Sequence, residues 1–212
     1  MFNRINKVRL STKLIKRTLR VFIGCVIIIS LMRLYSCTGN PEKIVSEKLY
    51  FDLEGFFDQQ IAELYKDSLI VLKTSEINGN TDQHEMQWTD WKKELAPFYS
   101  SDINKVSFAG KYISDTSSQQ DNNEGVKVIT YRATDPSLRT RIVEVTTGVH
   151  SNDILLIHIE NKSGDFLSTN SEDLYYVPLK SYIIRSTRTM KFFGDNKIAV
   201  KGDIVSKQRK YF

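Results

Sequence analysis

Ser181-Tyr-Ile-Ile-Arg-Ser-Thr-Arg-Thr-Met-Lys-Phe-Phe193 is the stretch whose reading decides the fold. Along an extended chain Tyr182, Ile184, Met190 and Phe192 fall on one face, and Arg185, Thr187, Thr189 and Lys191 on the other. That period of two predicts a strand with one buried and one wet face, the habit of antiparallel sheets. Gly194-Asp-Asn-Lys197 reads as a turn, and Ile198–Val205 as the returning strand, with Gly202 marking a bend or bulge.

Working outward, the same pattern repeats. Val106, Phe108 and Tyr112, then Val126–Tyr131, Arg141–Val149, Ile154–Glu160 and Leu174–Val177, read as strands. In the third of these Val143, Val145 and Thr147 alternate with Ile142, Glu144 and Thr146. Asp135-Pro-Ser137, His150–Asp153 and Lys162-Ser-Gly164 read as turns, and Asp115–Gly125 as a polar surface loop. Further upstream Leu69–Ser75 is apolar and β-branched, and Asn78-Gly79 is a strong hairpin signal returning the chain over residues 81–88.

Two helical patterns precede and interrupt this run. Asn40 and Pro41 form a start signal, and Val45, Leu49, Leu53, Phe56, Phe57, Ile61, Leu64 and Tyr65 recur at helical spacing. They predict an amphipathic helix over residues 41–67. Thr89 reads as the cap of a short helix through Trp91, Leu95 and Phe98, which Pro97 kinks or splits. Trp88, Trp91, Phe98 and Tyr99 form an aromatic cluster expected to plug one end of the core. The expected fold is α+β: the long helix packed on a curved antiparallel meander, half-barrel-like.

The N-terminal residues differ in kind. Val21–Met32 is an uncharged apolar run of roughly 18 Å as a helix, short of the ~30 Å hydrocarbon core of a bilayer. Arg4, Lys7, Arg9, Lys13, Lys16, Arg17 and Arg20 precede it without an acid, as in a signal peptide that leaves its charged end in the cytoplasm. Leu34-Tyr-Ser-Cys37 then resembles a bacterial lipobox, which implies lipidation at Cys37. A single-pass, uncleaved N-terminal anchor is the alternative. Residues 1–37 are therefore expected to be a membrane-targeting leader, and residues 38–212 a single exported domain.

Charge and cysteine content follow that division. Residues 1–36 hold eight of the 30 Lys+Arg and none of the 25 Asp+Glu. The remainder is slightly acidic, so the net charge of +5 carries no argument for nucleic acid. The two cysteines are Cys25 and Cys37, so an exported domain has neither a disulfide nor a thiol nucleophile beyond Cys37.

No catalytic or cofactor motif stands out. His84, His150 and His158 lack the spacing of helical metal ligands, and no phosphate-cradling glycine loop or nucleophile elbow occurs. No catalytic residue, metal or cofactor is assigned, and no enzymatic activity is expected. If an apolar ligand were held between the sheet and helix 41–67, Phe56, Phe57, Tyr65, Trp88 and Trp91 would line its site.

Two segments carry a resemblance: Leu49-Tyr-Phe-Asp-Leu-Glu-Gly-Phe-Phe-Asp-Gln-Gln-Ile61 and Trp91-Lys-Lys-Glu-Leu-Ala-Pro-Phe-Tyr-Ser-Ser-Asp-Ile-Asn-Lys105. Together with the leader they resemble uncharacterised lipoproteins of Bacteroidota. The resemblance implies a lipid-anchored cell-envelope protein with a binding or structural role, and implies no activity.

Overall fold

The computed structural model describes residues 48–66, 69–86, 89–121 and 124–206. The leader, Cys37, the first part of the expected long helix and Trp88 lie outside these residues. The described residues belong to one unit, spanning 47–212. Its elements are α1 (Leu53–Lys66), β1 (Leu69–Ile77), β2 (Asn80–Met86), α2 (Trp91–Glu94), α3 (Ala96–Tyr99), a 3-10 turn (Val106–Phe108), β3 (Tyr112–Asp121), β4 (Glu124–Ala133), β5 (Thr140–Gly148), β6 (Ile154–Gly164), β7 (Ser168–Val177), β8 (Ser181–Met190) and β9 (Gly194–Ser206).

The architecture is α+β and dominated by one open nine-stranded sheet, ordered β2-β1-β9-β8-β7-β6-β5-β4-β3. Every neighbouring pair is antiparallel. Strands β3 to β9 follow one another as a meander, because short turns leave each strand beside its predecessor. The exception is β1, which pairs along its length with β9 and so brings the first hairpin to the last strand. Asn78 and Gly79 turn that hairpin with φ of 50° and 89°. Positive φ at both positions is what a type I′ turn requires, and Asn-Gly tolerates it.

One face of the sheet is covered. Val71, Val143, Val145, Ile157, Ile159, Leu174, Tyr176, Tyr182 and Ile204 project from it into a core with Leu53, Phe57 and Leu64 of α1 and Trp91, Leu95, Phe98 and Ile103 of the following segment. Phe57 lies 5.0 Å from the Tyr176 ring and 5.1 Å from that of Phe98, and the Tyr176 hydroxyl donates to Gln60 Oε1 at 3.1 Å. These contacts seat α1 on β7. Burying such side chains contributes about 1.5–3 kcal/mol each, so core packing, more than helix propensity, holds a fourteen-residue helix.

The described helix is shorter than the apolar spacing predicts. It begins at Leu53, because the Asp52 carboxylate accepts from Gly55 N at 2.8 Å and caps the first turn. Tyr50 and Phe51 before it are non-helical and clamped by Asn104, whose Oδ1 accepts from Tyr50 N at 3.0 Å and whose Nδ2 donates to Phe51 O at 2.8 Å. Leu49 is exposed rather than part of a buried stripe.

Four other expectations change. The polar stretch Asp115–Gly125 is largely strand: β3 forms the sheet edge and pairs in register with β4 through Asp121 opposite Glu124. Its backbone ladder needs no apolar side chain on a solvated edge. Val106–Phe108 is a 3-10 turn with Val106 exposed, not a strand. Gly202 is no bulge, since both its ladders run without interruption. The reversal after β8 occurs at residues 191–193, ahead of Gly194, which leaves Phe192 exposed instead of buried with Tyr182. Pro97 does split the second helical segment, into α2 and α3.

Candidate functional site

Among the described residues, the uncovered face of the sheet gathers a histidine, several carboxylates, a tyrosine and an arginine. Strand register builds it. Thr130, Glu144, His158 and Tyr175 stand opposite one another across β4 to β7. Glu160, Asp173 and Arg185 form the neighbouring row across β6 to β8. On a strand, residues two apart share a face, so His158 and Glu160, and Asp173 and Tyr175, flank each other.

His158 is the centre of the cluster. Its Nδ1 lies 3.0 Å from Glu144 Oε2 and its Nε2 3.3 Å from Asp173 Oδ1. The Tyr175 ring stacks on the imidazole at 4.4 Å, with 9° between the planes. Arg185 sits over the other part of the pattern, 5.5 Å from the Tyr175 ring centroid. His158 keeps 14% of its side chain exposed although no helix among the described residues packs on that face. Burial raises the Tyr175 phenol above its ordinary value, reinforced by the charge of Asp173 and opposed by Arg185.

Beside the cluster is an open cleft of about 400 Å³ bordered by Arg141, Glu160, Lys162, Asp173, Arg185 and Thr187. The β5–β6 register shifts between Thr140 and Ile142, so Arg141 is the extra residue of a bulge. The cleft alternates cations and carboxylates and suits a ligand or partner bearing both charges. His158, Glu160 and Asp173 can each place one ligand atom within 4.8 Å of the others. With Glu144 fixing the second ring nitrogen, that set has the chemistry to hold a divalent cation through one imidazole and two carboxylates.

A second open cleft, of about 530 Å³, lies on the covered face beyond the end of the helices. Ser163, Ser168, Asn170, Ser186, Arg188 and Asn196 border it. There the inner surface turns polar: Ser186 Oγ donates to Asn170 Oδ1 at 3.1 Å, and Asn170 Nδ2 to Glu172 Oε1 at 3.2 Å.

Of the residues named from the sequence as an apolar lining, the four that are described, Phe56, Phe57, Tyr65 and Trp91, border neither cleft. Phe57 and Trp91 are fully buried among protein side chains. Phe56 is half-buried, 6.1 Å from the Tyr176 ring, and Tyr65 is exposed. Trp88 and Cys37 lie outside the described residues. Sequence spacing puts His158 on a strand face with Ile154 and Leu156; Leu156 shares that face, but the register shift between Thr146 and Thr147 turns Ile154 to the core. Spacing does not show that Glu144 and Asp173 stand opposite, because that depends on the registers of β5 and β7.

No protein-family model and no curated protein matches the chain. A solved structure, an S-type phycobiliprotein lyase from Guillardia theta, is similar over 76% of this chain and 100% of its own, at 11% identity and a TM-score of 0.24. Among the described residues no helix is long and apolar enough to cross a membrane.

Proposed function

We propose that the chain is a non-enzymatic, membrane-held cell-envelope protein that binds a partner on the uncovered face of its sheet. The observation that carries the binding role is the ordered set Glu144, His158, Asp173, Tyr175 and Arg185 on a face that faces water. Exposed strand residues are ordinarily free to sample rotamers. Here stacking and paired hydrogen bonds restrain them, which lowers the ordering cost of binding. The non-enzymatic reading rests on the sequence alone, in which no catalytic motif stands out. Membrane attachment rests on the run Val21–Met32 and on Cys37 as the residue that carries lipid.

Each part has its own test. A photo-crosslinking residue in place of Arg185, in the full chain in cells, should give a discrete adduct that Tyr175→Ala abolishes. An adduct of equal yield from Ser117 on edge strand β3, or none from position 185, would sink the binding reading. For the anchor, labelled fatty acid should enter the wild type and not Cys37→Ser. Unchanged labelling and unchanged membrane retention in that variant would remove the lipoprotein reading.

A further inference from the structure

At one end of the sheet two neighbouring turns expose large apolar side chains at their tips. Phe166 and Leu167, between β6 and β7, are 82% and 55% exposed, and Phe192 and Phe193, between β8 and β9, are 75% and 84% exposed. The turns are tied side by side. Lys191 N donates to Leu167 O at 3.0 Å, and Lys191 Nζ lies 4.2 Å from the Phe166 ring centroid. Single exposed apolar residues are ordinary, but three phenylalanines and a leucine on adjoining tips form a patch.

Charge around the patch has a sign. Over residues 162–168 and 188–197 the cations are Lys162, Arg188, Lys191 and Lys197, and the acids are Asp165 and Asp195. Asp165 is turned into its own turn, accepting from Leu167 N and Ser168 N, both at 2.8 Å. Those bonds hold its carboxyl below the usual range. Asp165 stays ionised there, and the two segments together carry four cations against two acids.

We infer that these two turns dip into the headgroup region of an anionic bilayer, with Phe166, Leu167, Phe192 and Phe193 inserted and Lys191 and Lys197 on lipid phosphates. Shape favours a bilayer over a second copy. The four side chains offer on the order of 500 Å², against about 800 Å² per partner in a stable protein interface. Projecting tips also suit a soft surface better than a flat one. Phenylalanine and leucine supply the apolar insertion, and lysine stems reach back to the phosphates. The inference shares the membrane with the proposed function but not the leader, so the fate of Cys37→Ser leaves it standing.

The test is Phe193→Trp in the full chain, mixed with vesicles of phosphatidylcholine with or without phosphatidylglycerol, whose acyl chains carry bromine. The wild type corrects for Trp88 and Trp91, and His150→Trp reports the opposite end of the sheet. The expected result is a blue-shifted emission at position 193, quenched by bromine and stronger with the anionic lipid, with neither effect at 150. Lys191→Gln and Lys197→Gln should each lower the inserted fraction about fivefold on anionic vesicles. The inference is overturned by an unquenched position 193 or by equal quenching at 150. A blue shift without lipid that grows with protein concentration would also overturn it, because a second copy would then cover the tips.

Discussion

The ring of Tyr182 lies against Gly202, so that a methyl group on Gly202 would collide with Tyr182 Cζ. The two are ladder partners on the covered face, and Lys73 pairs with Gly202 from the other side. Tyr182 and Lys73 thus reach across the glycine to one acceptor, Glu94 Oε1 of α2, with Lys73 Nζ at 2.6 Å. A strand position without a side chain becomes the place where a helix is fastened to the sheet.

Gly202→Ala should therefore destabilise the domain by about 2–3 kcal/mol, as overpacking does in a core. Tyr182→Ser is itself destabilising, but the double variant should lose less than the sum of the two, since the steric conflict goes with the ring. Urea unfolding of both single variants and the double variant measures the coupling. Strict additivity would show that the two residues do not conflict.

Glu94 holds two partners at 11% side-chain exposure, beside Lys73 at 21%. Glu94→Ala leaves a half-buried ammonium and a buried phenol without an acceptor, and should cost about 3 kcal/mol. Lys73→Met with Glu94→Leu should cost less than Glu94→Ala alone. Thermal unfolding of the three variants decides it; an equal or larger loss in the double variant would contradict the hub.

Burial pushes the phenols of Tyr112 and Tyr176 up to about 12, against an ordinary value of 10. Tyr182 is raised further by burial and by its bond to Glu94. A raised folded value means that this stability is complete below pH 10 and is lost as pH rises toward 12, because the unfolded chain ionises first. Alkaline titration should show tyrosine absorbance at 295 nm and loss of sheet circular dichroism rising together for these three. Full ionisation of all the tyrosines with the sheet signal intact would refute it.

Asn104 ties the backbone of both Tyr50 and Phe51 by side-chain bonds. Asn104→Ala should cost about 2 kcal/mol through unsatisfied backbone groups. Amide exchange should accelerate at Tyr50, whose N–H loses its acceptor, while α1 stays protected. Unchanged exchange at Tyr50 would mean that the strap is held by the Tyr50 ring and hydroxyl against Phe108, Tyr112 and Tyr131 instead.

Much of the fold was legible locally. Alternation along Arg141–Val149 and Tyr182–Met190 placed two strands and their buried faces, Asn78-Gly79 placed the first hairpin, and Pro97 placed the break between α2 and α3. Polar alternation was less readable: Asp115–Asp121 has the composition of a loop, yet its backbone pairs with β4. The exposed Phe192 broke the pattern in the other direction, since hydrophobicity says that burial is favourable but not that a turn will permit it. In the candidate site His158 was visible as a residue, while its partners were not.

By itself the sequence determined that most of the chain beyond residue 125 is extended, which face of strands such as Arg141–Val149 is apolar, and that residues 38–212, which contain no cysteine, must cohere without disulfides. Those properties follow from side-chain period and residue chemistry within a few positions. Only the tertiary structure decided that β1 joins β9, that Glu144 and Asp173 bracket His158, and that Gly202 makes room for Tyr182. Each of those relations depends on strand register between residues up to more than a hundred positions apart. Register is set by how the whole covered face fills against α1, α2 and α3, and no local pattern encodes it.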